Sequence, residues 1–91
     1  MNDIYAALEN SKETAELLIS HGANINEKDK DGETALHFTA YNNSKETAEL
    51  LISHSANINE KNKYGETALH IAAKYNKKET VEVLISHGAK K

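Results

Sequence analysis

One stretch of this chain is written almost twice. Residues 11–27 read SKETAELLISHGANINE and residues 44–60 read SKETAELLISHSANINE, differing only at Gly22 against Ser55. The offset is 33 residues, and a further step of 33 reaches KKETVEVLISHGAKK at 77–91. A second block keeps the same period: KDKDGETALHFTAYNN from Lys28 and KNKYGETALHIAAKYN from Lys61, with IYAALEN at 4–10 aligning with HFTAYNN at 37–43. Self-similarity at a fixed period of roughly 20–50 residues marks a stack of like units, each burying its apolar face against its neighbours. The period therefore decides the fold class. We read an all-α repeat solenoid forming a single domain over 1–91, with repeats at about 1–27, 28–60 and 61–91.

The unit 28–60 shows what is being stacked. KDKDGE is polar, contains Gly32 and reads as a turn. Thr34 can cap a following helix by accepting from the His37 backbone amide. ALHFTAY is that helix, with Leu36, Phe38 and Ala40 as core contacts, and Asn43 ends it, as Asn10 and Asn76 do at matching places. Ser44 caps a second helix, KETAELLISH, whose Ala48, Leu51 and Ile52 fall at i, i+3 and i+4; Leu50 widens the stripe, and Lys45, Glu46 and Glu49 face water. Ser55 then stands where Gly22 and Gly88 stand in the other copies, and ANINE leads out in extended form. The unit is turn, helix, turn, helix, loop.

These residues closely resemble the ankyrin repeat. Its pattern of a turn Asp and Gly, Thr-x-Leu-His, paired alanines and a final Gly-Ala-x-x-Asn stretch is matched by Asp29, Gly32, Thr34, Leu36, His37, Ala40, Ala56, Ile58 and Asn59. In the last unit it is matched by Gly65, Thr67, Leu69, His70, Ala72, Ala73, Gly88 and Ala89. The resemblance covers essentially the whole chain. It implies stacked helix-turn-helix units with short β-hairpin fingers, and Thr-x-x-His side chains bonded within the turn and to the next repeat. The sequence departs from the pattern at Ala35 and Ala68 for proline, Asn62 for the turn aspartate, and Ser55 for the helix-exit glycine. The first unit lacks its finger, and the apolar Val81, Val83, Leu84 and Ile85 give the last unit the character of an internal one.

Composition excludes several functions. The chain holds no cysteine, so disulfides and thiolate metal sites are absent. It carries no signal-peptide pattern and no apolar run near the roughly 20 residues of a membrane span, which fits a cytoplasmic protein. Net charge is −3, and all 11 basic residues are lysine. Without the planar arginine fork and a basic surplus, nucleic-acid binding is not expected. The five histidines repeat with the period, at 21, 54 and 87 and at 37 and 70, so the repeat explains them and no metal or cofactor is called for. Catalytic constellations are singular, whereas almost every polar residue here recurs; no G-x-S-x-G, H-E-x-x-H or phosphate loop is present, and no enzyme activity is expected.

What remains informative are surface positions that differ between repeats. In ankyrin-repeat proteins, partners are usually gripped by finger tips and the exposed side of the first helices. The resemblance places Lys28, Lys30, Asp31, Glu33, Tyr41 and Asn42 there in the middle unit, and Lys61, Lys63, Tyr64, Glu66, Lys74 and Tyr75 in the last. Tyrosine is the chain's only residue type typical of interface hot spots, since arginine and tryptophan are missing. Tyr41, Tyr64 and Tyr75 are expected to form an aromatic track; Tyr5, aligned with Phe38 and Ile71, belongs to the core. Charge changes from −2 over 27–33 to 0 over 60–66 and then to a lysine-rich end, a gradient that could orient a partner. The expected function is thus non-catalytic binding of another protein through a concave face and fingers, with end-to-end self-association open. The alternative is a spacer or scaffold segment of a longer array. A third reading, implied by the family, is hydroxylation of Asn26.

Overall fold

The computed structural model describes residues 12–42 and 44–89. Tyr5, Asn10 and Asn43 lie outside them. The described residues form α1 (Lys12–Ser20), α2 (Ala35–Asn42), α3 (Lys45–Ser53), α4 (Ala68–Lys74) and α5 (Lys78–Ser86). The helices make two layers. α2 packs on α4 in one, and α1, α3 and α5 follow one another in the other; the pairs α2–α3 and α4–α5 join the layers within each repeat. The expected stack of helix pairs is therefore present.

Small and branched residues at the seam let these short helices approach. Ala15, Ala35, Ala40, Ala48 and Ala72 are fully covered, together with Leu36, Leu51, Ile71 and Leu84. Phe38 was expected beside them and is only half-buried, while its counterpart Ile71 is 0% exposed. Thr39, Thr47 and Thr80 are buried polar residues, and Thr39 satisfies its hydroxyl by donating to the Leu36 carbonyl at 2.8 Å. Lys45, Glu46 and Glu49 face solvent, as the stripe predicts.

Helix starts differ in detail from expectation. Thr67 accepts from the His70 amide at 3.3 Å, and the Thr67 amide donates to His70 Nδ1 at 3.2 Å, a reciprocal cap. At Thr34 the amide likewise donates to His37 Nδ1, at 3.0 Å. Ser44 holds the N-cap position of α3 without capping it: its hydroxyl donates to the Thr47 hydroxyl at 2.8 Å. Its oxygen accepts from no helix amide, which sequence spacing alone could not reveal.

Helix exits share one geometry. After α3, the Ser55 amide donates to the Ile52 carbonyl and the Ala56 amide to the Leu51 carbonyl, both at 3.0 Å. This doubly bonded exit needs a left-handed residue. Ser55 supplies it at φ 74°, where Gly22 and Gly88 sit at 94° and 99°; Asn76 does so after α4 at 58°. A serine side chain is strained there and glycine is not. Ser55→Gly should therefore raise stability by about 0.5–1 kcal/mol. A denaturant titration showing no gain would mean that the serine hydroxyl recovers the strain by bonds of its own.

The expected β-hairpin fingers are not formed as strands among the described residues. Each is a tight turn closed by backbone bonds: Asp29 N–H to the Glu33 carbonyl at 2.9 Å with Gly32 N–H to Asp29, and Asn62 N–H to Glu66 at 2.9 Å with Gly65 N–H to Asn62. Three residues span each tip, and a single residue pair closes the turn. The two tips are joined directly, Lys63 N–H donating to the Asp31 carbonyl at 2.9 Å.

Candidate functional site

The turn residues Asp29 and Asn62 build the two fingers by the same device. Asp29 Oδ1 accepts from the Asp31 and Glu33 amides, and Asn62 Oδ1 from the Tyr64 and Glu66 amides, all at 2.9 Å. A carboxylate and a carboxamide serve equally for that. The carboxamide adds what a carboxylate cannot: Asn62 Nδ2 donates to Glu33 Oε2 at 3.3 Å and to Glu66 Oε1 at 3.1 Å. Only 6% exposed, it separates two carboxylates of neighbouring repeats. Asn62→Asp should keep the turn but gather three carboxylates and remove the amide donor that now bridges Glu33 and Glu66. We expect a loss of about 1–2 kcal/mol at neutral pH, shrinking toward about pH 4 as one carboxylate takes a proton. A loss that did not depend on pH would show that charge is not the cause.

Histidine fixes the register of the repeats. His37 is 1% exposed; its Nδ1 accepts from the Thr34 amide, so its Nε2 carries the proton and donates to the Glu66 carbonyl at 2.9 Å. The expected bonds within the turn and to the next repeat are thus both made. Asn26, the candidate for hydroxylation, joins repeats in the same way: it accepts from the Asn57 amide at 2.7 Å and donates to the Ser55 carbonyl at 3.2 Å. Among the described residues no three histidine, aspartate or glutamate side chains gather as a metal site.

Tyr41 and Tyr75 meet across the repeats, their ring centroids 5.7 Å apart and tilted by 49°. Tyr41 lies in the last turn of α2 and leans back along it, as helical side chains do, so that its hydroxyl donates to Glu33 Oε2 at 3.0 Å. One period later Lys74 takes the same place and lies 3.7 Å from Glu66 Oε2. Its ammonium also stands 5.6 Å from the Tyr75 ring. Partial burial, followed by the Glu33 carboxylate, pushes the Tyr41 phenol up to about 12, so it stays a donor throughout the physiological range. The rings keep 36% and 49% of their surface exposed.

The twelve sequence-selected residues do not form one patch of free groups. Tyr41, Glu33, Glu66, Lys74 and Tyr75 come together around Asn62. Asp31 pairs with Lys63 at 2.8 Å between neighbouring repeats, and Lys28 pairs with Glu60 at 2.6 Å across the two ends of the middle repeat. These bridges hold the Asp31 and Glu60 carboxyls below their usual range and raise the Lys63 ammonium. These two pairs take one charge of each sign from 27–33 and from 60–66, so the difference of −2 against 0 between the segments is unchanged. Tyr64 stands apart at the finger tip, 69% exposed, with the Lys63 ammonium 5.2 Å from its ring. The tyrosines thus make a pair and an outlier, not a track of three. Lys30, Asn42 and Lys61 are exposed.

Sequence reading missed Asn62 and the bond between finger tips. The signal for Asn62 was its departure from the turn aspartate, which could be noticed but not interpreted without Glu33 beside it.

No helix among the described residues is long and apolar enough to cross a membrane. A comparison with curated proteins found no match. The family model for ankyrin repeats matches residues 4–91 in three copies, and such repeats are generally protein-interaction modules. With the helix pairs, the left-handed exits and the histidine register already in view, the chain belongs to the ankyrin-repeat family.

Proposed function

We propose that this chain is a non-catalytic, cytoplasmic binding module. It grips a partner protein on the face where the fingers meet α2 and α4, and it requires neither cofactor nor metal. The observation that carries this reading is the exposed Tyr41–Tyr75 pair. At the same register the other repeat carries Lys74 for Tyr41 and Asn42 for Tyr75, so the fold itself requires no ring at either position. Two large rings kept half in water, flanked by fixed Glu33, Glu66 and Lys74, offer an apolar landing with polar groups at its edge. That is the usual anatomy of a protein hot spot. Lys28, Lys30, Asp31, Asn42, Lys61, Lys63 and Tyr64 form the surround, where contacts tune approach more than grip.

Capture from an extract of the source cell tests the reading, with the native chain and the Tyr41→Ala/Tyr75→Ala variant immobilised side by side. A partner held by the first and lost by the second supports it. A partner held equally by both moves the contact to another surface.

A further inference from the structure

We infer that the partner held by this face is an acidic protein segment, in which an apolar side chain set on the Tyr41–Tyr75 pair is flanked by carboxylates. The inference rests on the tyrosine-pair reading and adds the partner's charge. Counted by residue, the fingers favour the opposite sign of partner: 27–33 carries −2 and 60–66 carries 0. Exposure reverses that count. The carboxylates of these segments, Glu27, Asp29, Asp31, Glu33, Glu60 and Glu66, are all half-buried, whereas Lys28, Lys30, Lys61, Lys63 and Lys74 are all exposed. In each of three ion pairs the lysine is the outer member. The side chain of Lys28 is 47% exposed against 28% for Glu60, that of Lys63 51% against 38% for Asp31, and that of Lys74 60% against 26% for Glu66. The sunken carboxylates are also engaged: Asp29 accepts from two amides, and Glu33 from the Tyr41 hydroxyl and the Asn62 amide. A partner's cation would have to displace donors already in place, and desolvation would offset the gain. A partner's carboxylate meets the outermost groups directly.

Neither end of the chain produces this arrangement. Lys28 and Lys30 are exposed although a second finger follows theirs, and Lys61 and Lys63 although a finger precedes theirs. Tyr41, at the register of Lys74, also stays exposed beside the following repeat. The outer layer has the reverse sign. Among the described side chains of α1, α3 and α5, the exposed charges are Glu13, Glu16, Glu46, Glu49, Glu79 and Glu82 against Lys45 and Lys78. The molecule is therefore sided, with lysines and tyrosines outermost on the fingers and glutamates outermost on the outer helices. An acidic segment is repelled by the second side and turned toward the first, which speeds encounter. A nucleic-acid backbone is a longer line of negative charge, and a chain of net charge −3 without arginine suits it less well than a short segment.

An array of short synthetic peptides, each with a leucine or phenylalanine core and randomised flanks, tests this when probed with the labelled 91-residue chain. Retention should favour flanks rich in Asp and Glu over flanks rich in Lys and Arg, and it should weaken as salt is raised. For the best acidic peptides, Lys30→Glu/Lys61→Glu should slow association by about tenfold and leave dissociation nearly unchanged. Lys30→Gln/Lys61→Gln, with a smaller effect of the same sign, replaces it if circular dichroism shows lost helix. Tyr41→Ala/Tyr75→Ala should release the same peptides. Basic or neutral peptides that are preferred by the native chain and released by the tyrosine variant overturn this inference alone and leave the tyrosine face standing. Acidic peptides held equally by the tyrosine variant overturn both. No preference for acidic flanks, or a DNA oligonucleotide bound more tightly than the best acidic peptide, would also overturn the inference.

Discussion

Gly32→Ala is expected to destabilise the fold by about 2–4 kcal/mol, and Gly65→Ala by only about 1 kcal/mol. The two glycines occupy the same place in successive fingers and share a φ of +76°. The strain of a left-handed alanine is therefore common to both variants. Their surroundings differ. A Cβ on Gly32 would lie 3.0 Å from the Lys63 amide nitrogen and 3.2 Å from Asn62 Cα, whereas a Cβ on Gly65 meets nothing within 4 Å. The obstructing atoms are backbone and cannot rotate away. The second finger would have to slide, stretching the Lys63 N–H bond to Asp31 and disturbing the buried Asn62 amide. Such a loss is a large share of the roughly 5–15 kcal/mol that holds most domains together. Chemical denaturation of the two variants side by side measures it. Equal losses would mean that the fingers do not touch in solution.

That contrast also marks how far the sequence could be read. The period of 33 and the apolar stripe of KETAELLIS determine which segments are helices and which faces are buried, because both follow from local spacing. The left-handed exit at Ser55 was legible by comparison with Gly22 and Gly88. The failures at Asn62 and in the pairing of charges share a cause: each depends on an atom contributed from a position about 30 residues away in the sequence. Ser44 donates to the Thr47 hydroxyl and accepts from no helix amide. Phe38 was placed in the core by pattern, yet it remains half-buried. Asn62 stands in the sequence only as a departure from the turn aspartate, and its role depends on Glu33, 29 positions earlier, which lies against its amide nitrogen. The fingers were expected to contain strands, but one residue pair closes each tip and no strand forms among the described residues. Lysines and carboxylates could be counted from the sequence, while their pairing could not.

The candidate site was legible in its residue types and illegible in its arrangement. Tyr41 and Tyr75 are 34 positions apart, one more than the period, so no register argument brings their rings together. Contact arises because Tyr41 lies in the last turn of α2 while Tyr75 caps the exit of α4, and these helices lie side by side. Tyr64 has the same chemistry and lies on the finger instead.

Removing both paired rings is expected to cost binding heavily and folding little. Neither ring belongs to the buried core, and exposed substitutions seldom move stability far. Tyr41→Ala does delete the hydroxyl bond to Glu33, but Asn62 still donates to that carboxylate. The melting point should therefore shift by a few degrees at most, with the helical signal unchanged. Binding should weaken by about 2 kcal/mol or more, on the order of thirtyfold in Kd, as for paired aromatic anchors at the centre of an interface. Lys63→Ala and Lys74→Ala should differ in kind. They act on the association rate and its salt dependence, since both ammonium groups remain more than half exposed even while bridged.

The most direct test is calorimetric titration of the captured partner into the native chain and into the folded Tyr41→Ala/Tyr75→Ala variant, with thermal melts of both recorded in the same buffer. Our account requires a variant that melts like the native chain and binds about thirtyfold more weakly or not at all. A variant that melts normally and binds its partner at native affinity contradicts it.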